Sequence, residues 1–576
     1  MSGVIVLEDL PNELFIEFFT YLTSFDIILT FEKLNHRFQL LITQYCRKFD
    51  FKFINKFQCD SIFRVQNTNQ WTSLRLSDDD RKPFWIDHLI ENYISKKNFS
   101  QLRFLSVGCL KDNTRQLFFS MLSSLPNLVS LSVDSVCGKD ILPFDLPKLQ
   151  KLVFGSCLHI DWIQNFSQLE TIEYTIDHAC ESKDKLNWPR TTKHLKFVLM
   201  VATAHSLILD SLVPLSQLTK LEIYQLQTQH VPMFGHRWEE LVRSSCPLLE
   251  IFQFYFIFRP ISTQDLKQIM TSYSTPFFLQ EKKWFFNCHL CASARHQRIY
   301  KQTIFYTLPY PMKTLTIYKN SYKKTMSSLH VDNHVNVYRN VKTLIFDNYI
   351  LPNDDFNQTK IHNLIVRTQF ESKPWLHALT NLRRLHIDEY GYISIEQFRV
   401  LLENTPHLYS LTLSKSRLAK LTDDWNDFHI CRHLSKKIRV LKFEFCQNVS
   451  ECVTRYETER IVSIFRDKCE HLTVGVQNST HTIDYILSNM SKLSYLSVFI
   501  HKSSQPTRIR FSKQSKLLTM EWLEKQQTQF HDTNCFLYND KQKLSYYTWS
   551  NFYGGSENYD NHRIQKTHRI ILLQRN

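Results

Sequence analysis

The chain has 576 residues, 43% of them hydrophobic, with 70 Lys and Arg against 55 Asp and Glu and a net charge of +15. That apolar content supports a continuous core and excludes an intrinsically disordered chain. Nine glycines, far below the usual share of about 7%, exclude glycine-built phosphate and dinucleotide loops, and no GxGxxG, GxxxxGK[ST] or GxSxG occurs.

The N-terminus, MSGVIVLEDLP, lacks a basic start and reaches acidic residues by position 8, so no secretory signal is expected. Residues 10–42 follow, LPNELFIEFFTYLTSFDIILTFEKLNHRFQLLI. Leu14, Phe18 and Leu22 fall at i, i+4 and i+8 and form one helical stripe, with Phe15 and Phe19 as a second beside it. Ser24 or Asp26 is the expected N-cap of a second helix carrying Ile27, Ile28, Phe31 and Leu34, and a third runs through Phe38, Leu41 and Ile42. Three helices this short are marginal alone, so a partner surface is expected.

This stretch resembles an F-box. The family's Leu-Pro-x-Glu-Leu opening stands here as Leu10, Pro11, Glu13 and Leu14. It continues with Phe18, the pair Tyr21 and Leu22, then Asp26 and Ile27, and closes with Leu34, Asn35, Arg37 and Phe38. Phe18 departs from the usual Ile or Val, and Asn35 from the frequent Cys. The resemblance implies docking on the Skp-family adaptor of a cullin-based ubiquitin ligase, through Leu10, Pro11, Leu14, Phe18, Leu22, Ile27 and Leu34. The other reading is a helical cap whose stripes are all internal core.

A recurrent unit, apolar-x-x-apolar-x-apolar, then runs through residues 71–501. Copies begin at Leu102, Leu128, Leu149, Leu169, Leu218, Leu249, Met312, Val341, Ile361, Leu382, Leu408, Ile438 and Leu493. An earlier copy stands at Trp71, and weaker ones near Leu195 and Leu472. Amphipathic helical stretches precede many of them, at 114–125, 395–404 and 459–469, the second headed by the capping-box pair Ser394 and Gln397. Two copies extend to a Cys that turns the chain out of its strand, at Cys157 and Cys446. Core and spacing resemble leucine-rich repeats. The alternative is a set of ordinary α/β units. Residues 259–308 interrupt the spacing, as an insertion or an atypical long repeat.

Other chemistries are weaker. Cys288, His289, Cys291 and His296 form CHLCxxxxH, but the fourth position of a zinc knuckle falls on Lys301. The 24 histidines and 55 acidic residues show no spacing that singles out a catalytic pair, so a non-catalytic chain with no cofactor or metal is expected. The basic residues are spread, as at Lys282-Lys283, Arg383-Arg384 and Lys436-Lys437, with residues 501–516 the most one-sidedly basic stretch. This favours acidic protein partners over nucleic acid. FQFYFIF at 252–258 is too short to span a bilayer, so no membrane partner is expected. The cysteines are scattered singly, as reduced thiols would be in a cytoplasmic or nuclear protein.

Beyond Leu496 the repeat fades. Residues 517–527 suit a short helix, and IILL at 570–573 a closing strand. The expected fold class is α/β, a three-helix F-box followed by an irregular leucine-rich-repeat solenoid of alternating strands and helices. Its segments are an F-box-like domain at 8–48, a connector at 49–70, the solenoid at 71–501 and a cap and tail at 502–576. The combination resembles the F-box/LRR substrate receptors of ubiquitin ligases. The alternative is a non-ligase protein-binding scaffold whose first helices only cap the solenoid.

Overall fold

The computed structural model describes residues 10–51, 56–77, 85–108, 110, 112–134, 145–155, 161–176, 186–199, 205–228, 233–259, 261–295, 298–318, 325–328, 337–347, 360–369, 377, 379–444, 449–477, 480–493, 495–501, 534–539 and 567–573. It divides into two compact units, Met1–Trp284 and Phe285–Asn576. The expected helix at 517–527 and the turn cysteines Cys157 and Cys446 lie outside the described residues.

The first unit opens with α1 (Asn12–Tyr21), α2 (Ser24–Phe31) and α3 (His36–Tyr45). Their shared core holds Phe15, Phe19, Ile28, Phe38, Leu41 and Ile42, and the Phe15 ring lies 4.8 Å from Phe38 and 6.3 Å from Phe31. The cap of α2 is Thr23, one residue before the expected Ser24. The Thr23 hydroxyl accepts from the Asp26 N–H at 3.1 Å and donates to the Asp26 carboxylate at 2.6 Å. Ser24 is used elsewhere, donating to the Lys48 carbonyl at 2.6 Å and tying the bundle to the first strand.

That strand, β1 (Lys48–Asp50), lies inside the stretch expected as a connector. After α4 (Lys56–Val65) come β2 (Ser73–Leu76), α5 (Trp85–Asn92), β3 (Phe104–Val107), α6 (Asp112–Leu122), β4 (Ser130–Val133), β5 (Lys151–Gly155), β6 (Thr171–Ile176), β7 (His194–Leu199), α7 (His205–Leu212), β8 (Lys220–Thr228), α8 (Gly235–Ser244), β9 (Ile251–Phe258) and α9 (Thr263–Ser272). β1 to β9 pair in chain order, every pair parallel. The register places Leu74, Leu105, Leu131, Leu152, Ile172, Leu195, Leu221 and Phe252 in one lateral row, all buried. The leucine that opens each repeat, such as Leu102, Leu128, Leu149 or Leu169, is also fully buried. Each such strand enters by the same device: the N–H groups of Arg103 and Phe104 both reach the Thr72 carbonyl, and those of Val129 and Ser130 the Arg103 carbonyl.

The second unit starts with an antiparallel hairpin of β10 (Phe285–Arg295) and β11 (Arg298–Leu308). It lies in the segment where the repeat spacing breaks. Parallel order resumes with β12 (Thr314–Tyr318), while β13 (Thr325–Ser327) pairs antiparallel with β10. Then follow β14 (Thr343–Asp347), β15 (Asn363–Val366), β16 (Arg384–Ile387), α10 (Ile395–Asn404), β17 (Ser410–Ser414), α11 (Lys415–Leu421), α12 (Phe428–Lys437), β18 (Val440–Glu444), β19 (Cys452–Val453), α13 (Arg455–Phe465), β20 (His471–Gln477), α14 (Thr480–Asn489) and β21 (Tyr495–His501). Here Leu344, Leu364, Leu385, Leu411, Leu441, Leu472 and Leu496 form the buried row. The capping box at Ser394 and Gln397 forms as its sequence indicates. The sheet ends with β22 (Asn534–Asn539) and β23 (Thr567–Leu573), and β23 pairs antiparallel with β21 as a closing strand. At two glycines backbone presses close: a Cβ at Gly155 would lie 2.3 Å from the Asp134 carbonyl oxygen, and one at Gly391 2.2 Å from that of Val366.

Trp71 joins the helical module to the first repeat. Its ring stacks on Phe49 at 4.0 Å, with Phe51, Phe63 and Phe99 at 5.9, 5.3 and 5.7 Å. Trp71→Ala is expected to cost about 3–5 kcal/mol and to unfold the start of the sheet first. Denaturant unfolding with hydrogen exchange over residues 48–107 reads both effects. A loss below about 1 kcal/mol would show that this cluster does not hold the module to the repeats.

Candidate functional site

The two stripes of α1 separate in the structure. Phe15 is fully buried, whereas Phe18 is 49% exposed, and Leu14 and Leu22 are exposed on the same side as Phe18 by helical spacing. Pro11 is exposed and Leu10 half-buried. Leu34 stands exposed in the turn between α2 and α3. Ile27 departs from the expectation: it is only 2% exposed and belongs to the bundle core, because its position on α2 faces inward beside Ile28.

The closing element of the motif is also internal. Arg37 donates to the Asn12 side-chain oxygen at 2.7 Å and to the Leu10 carbonyl, with its guanidinium 5.5 Å from the Phe15 ring centroid. Arg37 and Phe38 therefore fix the entry of α1 against α3. They leave Leu14, Phe18 and Leu22 facing outward. Sequence reasoning missed further exposed apolar residues, Leu29, Leu40 and Tyr45. Helical spacing was the available signal for Leu29 and Leu40, which lie off the buried stripes of α2 and α3, whereas Tyr45 continues the Phe38–Leu41–Ile42 face and is exposed at the helix's last position. With the bundle core filled by other residues, these apolar side chains remain exposed to solvent.

The structure also fixes which strand residues face outward. In the first unit they form a charged lattice across β5 to β8. Glu173 takes Lys151 at 2.8 Å and Lys196 at 3.0 Å from the two neighbouring strands. Glu222 takes His194 at 3.2 Å, the Tyr224 hydroxyl at 2.6 Å and the Lys220 ammonium. Burial pushes the Glu222 carboxyl up, but hydrogen bonds from His194, Lys220 and Tyr224 and the Lys220 charge outweigh it and hold the group at about 2. Each carboxylate of this lattice is matched, so the face suits polar contact with another surface.

In the second unit, ligand atoms of His386, Asp388 and Glu444 lie within 4.8 Å of one another, a set that offers one imidazole and two carboxylates to a cation. His386 already meets Glu444 at 2.5 Å, and Arg367 lies 3.6 Å from Asp388. The group is thus arranged as two facing pairs, His386 with Glu444 and Asp388 with Arg367. Of the CHLCxxxxH residues, Cys288 and His289 are neighbours on β10 and alternate between its two faces, while the side chain of Cys291 lies outside the described residues. Cys288 is buried, His289 bonds the Tyr306 hydroxyl at 2.6 Å, and His296 lies outside the described residues. No helix among the described residues is long and apolar enough to cross a membrane.

No protein-family model and no curated protein matches the chain. Among solved structures, an internalin (inlF) from Listeria monocytogenes str. 4b F2365 is 11% identical over 84% of this chain and 95% of its own, with a TM-score of 0.19. The LRR protein LIC12759 of Leptospira interrogans is 14% identical over 77% of this chain and 94% of its own, at 0.21. A TLR13–ssRNA13 complex is 13% identical over 76% and 67%, at 0.27. At such scores these likenesses carry no argument about this chain.

Two measurements check this site. Phe15→Ala should destabilise the chain by about 3–5 kcal/mol, while Phe18→Ala should change stability by less than about 1 kcal/mol; equal losses in chemical denaturation would place both rings in one core. Glu222 is worth about 1–3 kcal/mol. Its folded value is depressed, so that contribution is complete above the unfolded carboxyl value of 4.5 and fades as pH falls toward about 2. The stability gap between the chain and Glu222→Gln should narrow over that window, and a gap independent of pH would contradict the lattice.

Proposed function

We propose that the chain is the target-binding subunit of a cullin-based ubiquitin ligase. In this reading α1 to α3 dock a Skp-family adaptor, and the repeats hold a target protein. The observation that supports it is the outward stripe of Leu14, Phe18 and Leu22 on a bundle whose own core is complete. The F-box-like order of residues 10–38 agrees with that division, since Arg37 and Phe38 serve the fold and the stripe stays free for a partner. Leu10, Pro11 and Leu34 complete the docking set, and Ile27 supports it from within.

The mechanism is positioning. The chain performs no bond-making step; it raises the local concentration of target lysines near a ubiquitin-conjugating enzyme brought by the adaptor and cullin. Such a subunit works in the cytoplasm or nucleus and needs no cofactor. The outward strand residues of both sheets, mostly polar with apolar exceptions such as Phe104 and Ile251 and held in register by the buried leucine rows, are the natural target surface.

Leu14→Asp with Phe18→Asp places two charges on exposed positions. The double variant should fold as the parent does and lose at least tenfold in affinity for a purified Skp-family adaptor, read by titration calorimetry and by recovery of the adaptor from cells. Adaptor binding that survives the change, or that never occurs with the parent, would reduce the chain to a protein-binding scaffold with a helical cap.

A further inference from the structure

The residues that enter the parallel strands of the second unit form a lateral row at one edge of the sheet. The Lys342 N–H reaches the Lys313 carbonyl, His362 reaches Lys342, Arg383 reaches His362, Tyr409 reaches Arg383, and Arg439 reaches Tyr409. Neighbours in such a row stand about 4.8 Å apart, so Lys313, Lys342, His362 and Arg383 occupy three consecutive strand steps. Lys360 lies two residues from His362, and Arg384 follows Arg383 on β16.

Some cations at this edge serve the fold. Lys437 donates to the carbonyls of Leu402 and Thr405 and closes the end of α10, Arg439 lies 3.8 Å from Glu470, and the Arg384 guanidinium donates to the Tyr409 hydroxyl at 3.2 Å. Lys313, Lys342, Lys360 and Arg383 do not: all are exposed, and among the described residues none makes an ion pair. The field they create acts on His362. Burial first, then the charges of Arg383, Lys342 and Lys360, hold its imidazole below the usual range.

We propose that this edge, Lys313, Lys342, Lys360 and Arg383, docks an extended acidic segment of a partner protein. Three strand steps span about 14 Å, the length of four to five residues of extended chain. Carboxylates at alternate positions of such a segment would face the row together. Single-stranded nucleic acid fits less well, because its binding grooves interleave cations with aromatic platforms. The aromatic residue of this row, Tyr409, is half-buried with its hydroxyl engaged, while the exposed Tyr390 and Tyr392 follow β16 at its other end. Calling the partner a degradation target rests on the receptor reading above; the acidic chemistry of the edge does not.

The test titrates the full chain into a fluorescent 12-residue peptide of alternating Glu and Ser, with a 20-nucleotide oligouridine as the competing probe. The peptide should bind, tighten at low salt, and lose at least tenfold in affinity with Lys342→Glu plus Arg383→Glu. Lys313→Gln plus Lys360→Gln should weaken it several-fold without reversing charge, which guards against misfolding of the first variant. Lys267→Glu plus Lys420→Glu makes the same net change elsewhere and should leave binding within twofold. No peptide binding, equal loss in the Lys267 and Lys420 control, or oligouridine bound more tightly through the same four residues would overturn the proposal. The Leu14→Asp, Phe18→Asp chain should still bind the peptide. If it does and the adaptor never binds, the receptor reading falls and the acidic-segment site stands.

Discussion

The buried leucine rows carry this structure. A single repeat offers one short strand whose inward side chains have nothing to cover them within the repeat, so each must be sealed by the next. The rows from Leu74 to Phe252 and from Leu344 to Leu496 achieve this by register, and every interior member is flanked on both sides. Stability is then a sum of neighbour contacts, and the ends of each row are where the problem remains.

The ends are solved differently. At the N-terminal end, the Trp71 cluster and the Ser24–Lys48 hydrogen bond attach a helical bundle to the first strand. At the C-terminal end, β23 and β22 continue the sheet antiparallel, which covers the open side of Leu496 without requiring another repeat. In the segment where the parallel order stops, the chain uses the β10–β11 hairpin, whose antiparallel pairs need no crossover helix.

The same division between core and surplus gives the functional reading its content. Phe15 and Phe38 fill the bundle, while Phe18, three residues from Phe15, is left half exposed. On the sheets, outward carboxylates such as Glu173 and Glu222 are matched by neighbouring cations and by His194, whereas Lys313, Lys342 and Arg383, entering β12, β14 and β16, form no ion pair among the described residues. Matched lattice and unmatched edge are two different surfaces made by one repeat geometry.

The repeat and most of its strands were legible in the sequence, because the apolar-x-x-apolar-x-apolar core is local and recurs; even the weak copies at Leu195 and Leu472 lie in or begin strands. So were the capping box at Ser394, the two stripes of α1 and the closing strand at 570–573. The early strand at Lys48–Asp50 was not, since three residues leave no period to detect, and Ile27 entered the docking set through the F-box resemblance, while its burial depends on how α2 packs against its neighbours. The cap of α2 went to Thr23, as Ser24 was drawn to the Lys48 carbonyl by a contact 24 residues away. The CHLCxxxxH spacing suggested ligands, yet its Cys288 and His289 alternate between the faces of β10. What the sequence determined by itself was the pattern of burial within each repeat. Which residues were left over, as an outward stripe on α1 or a row of exposed cations, only the tertiary structure decided, because exposure and charge pairing depend on neighbours far away along the chain.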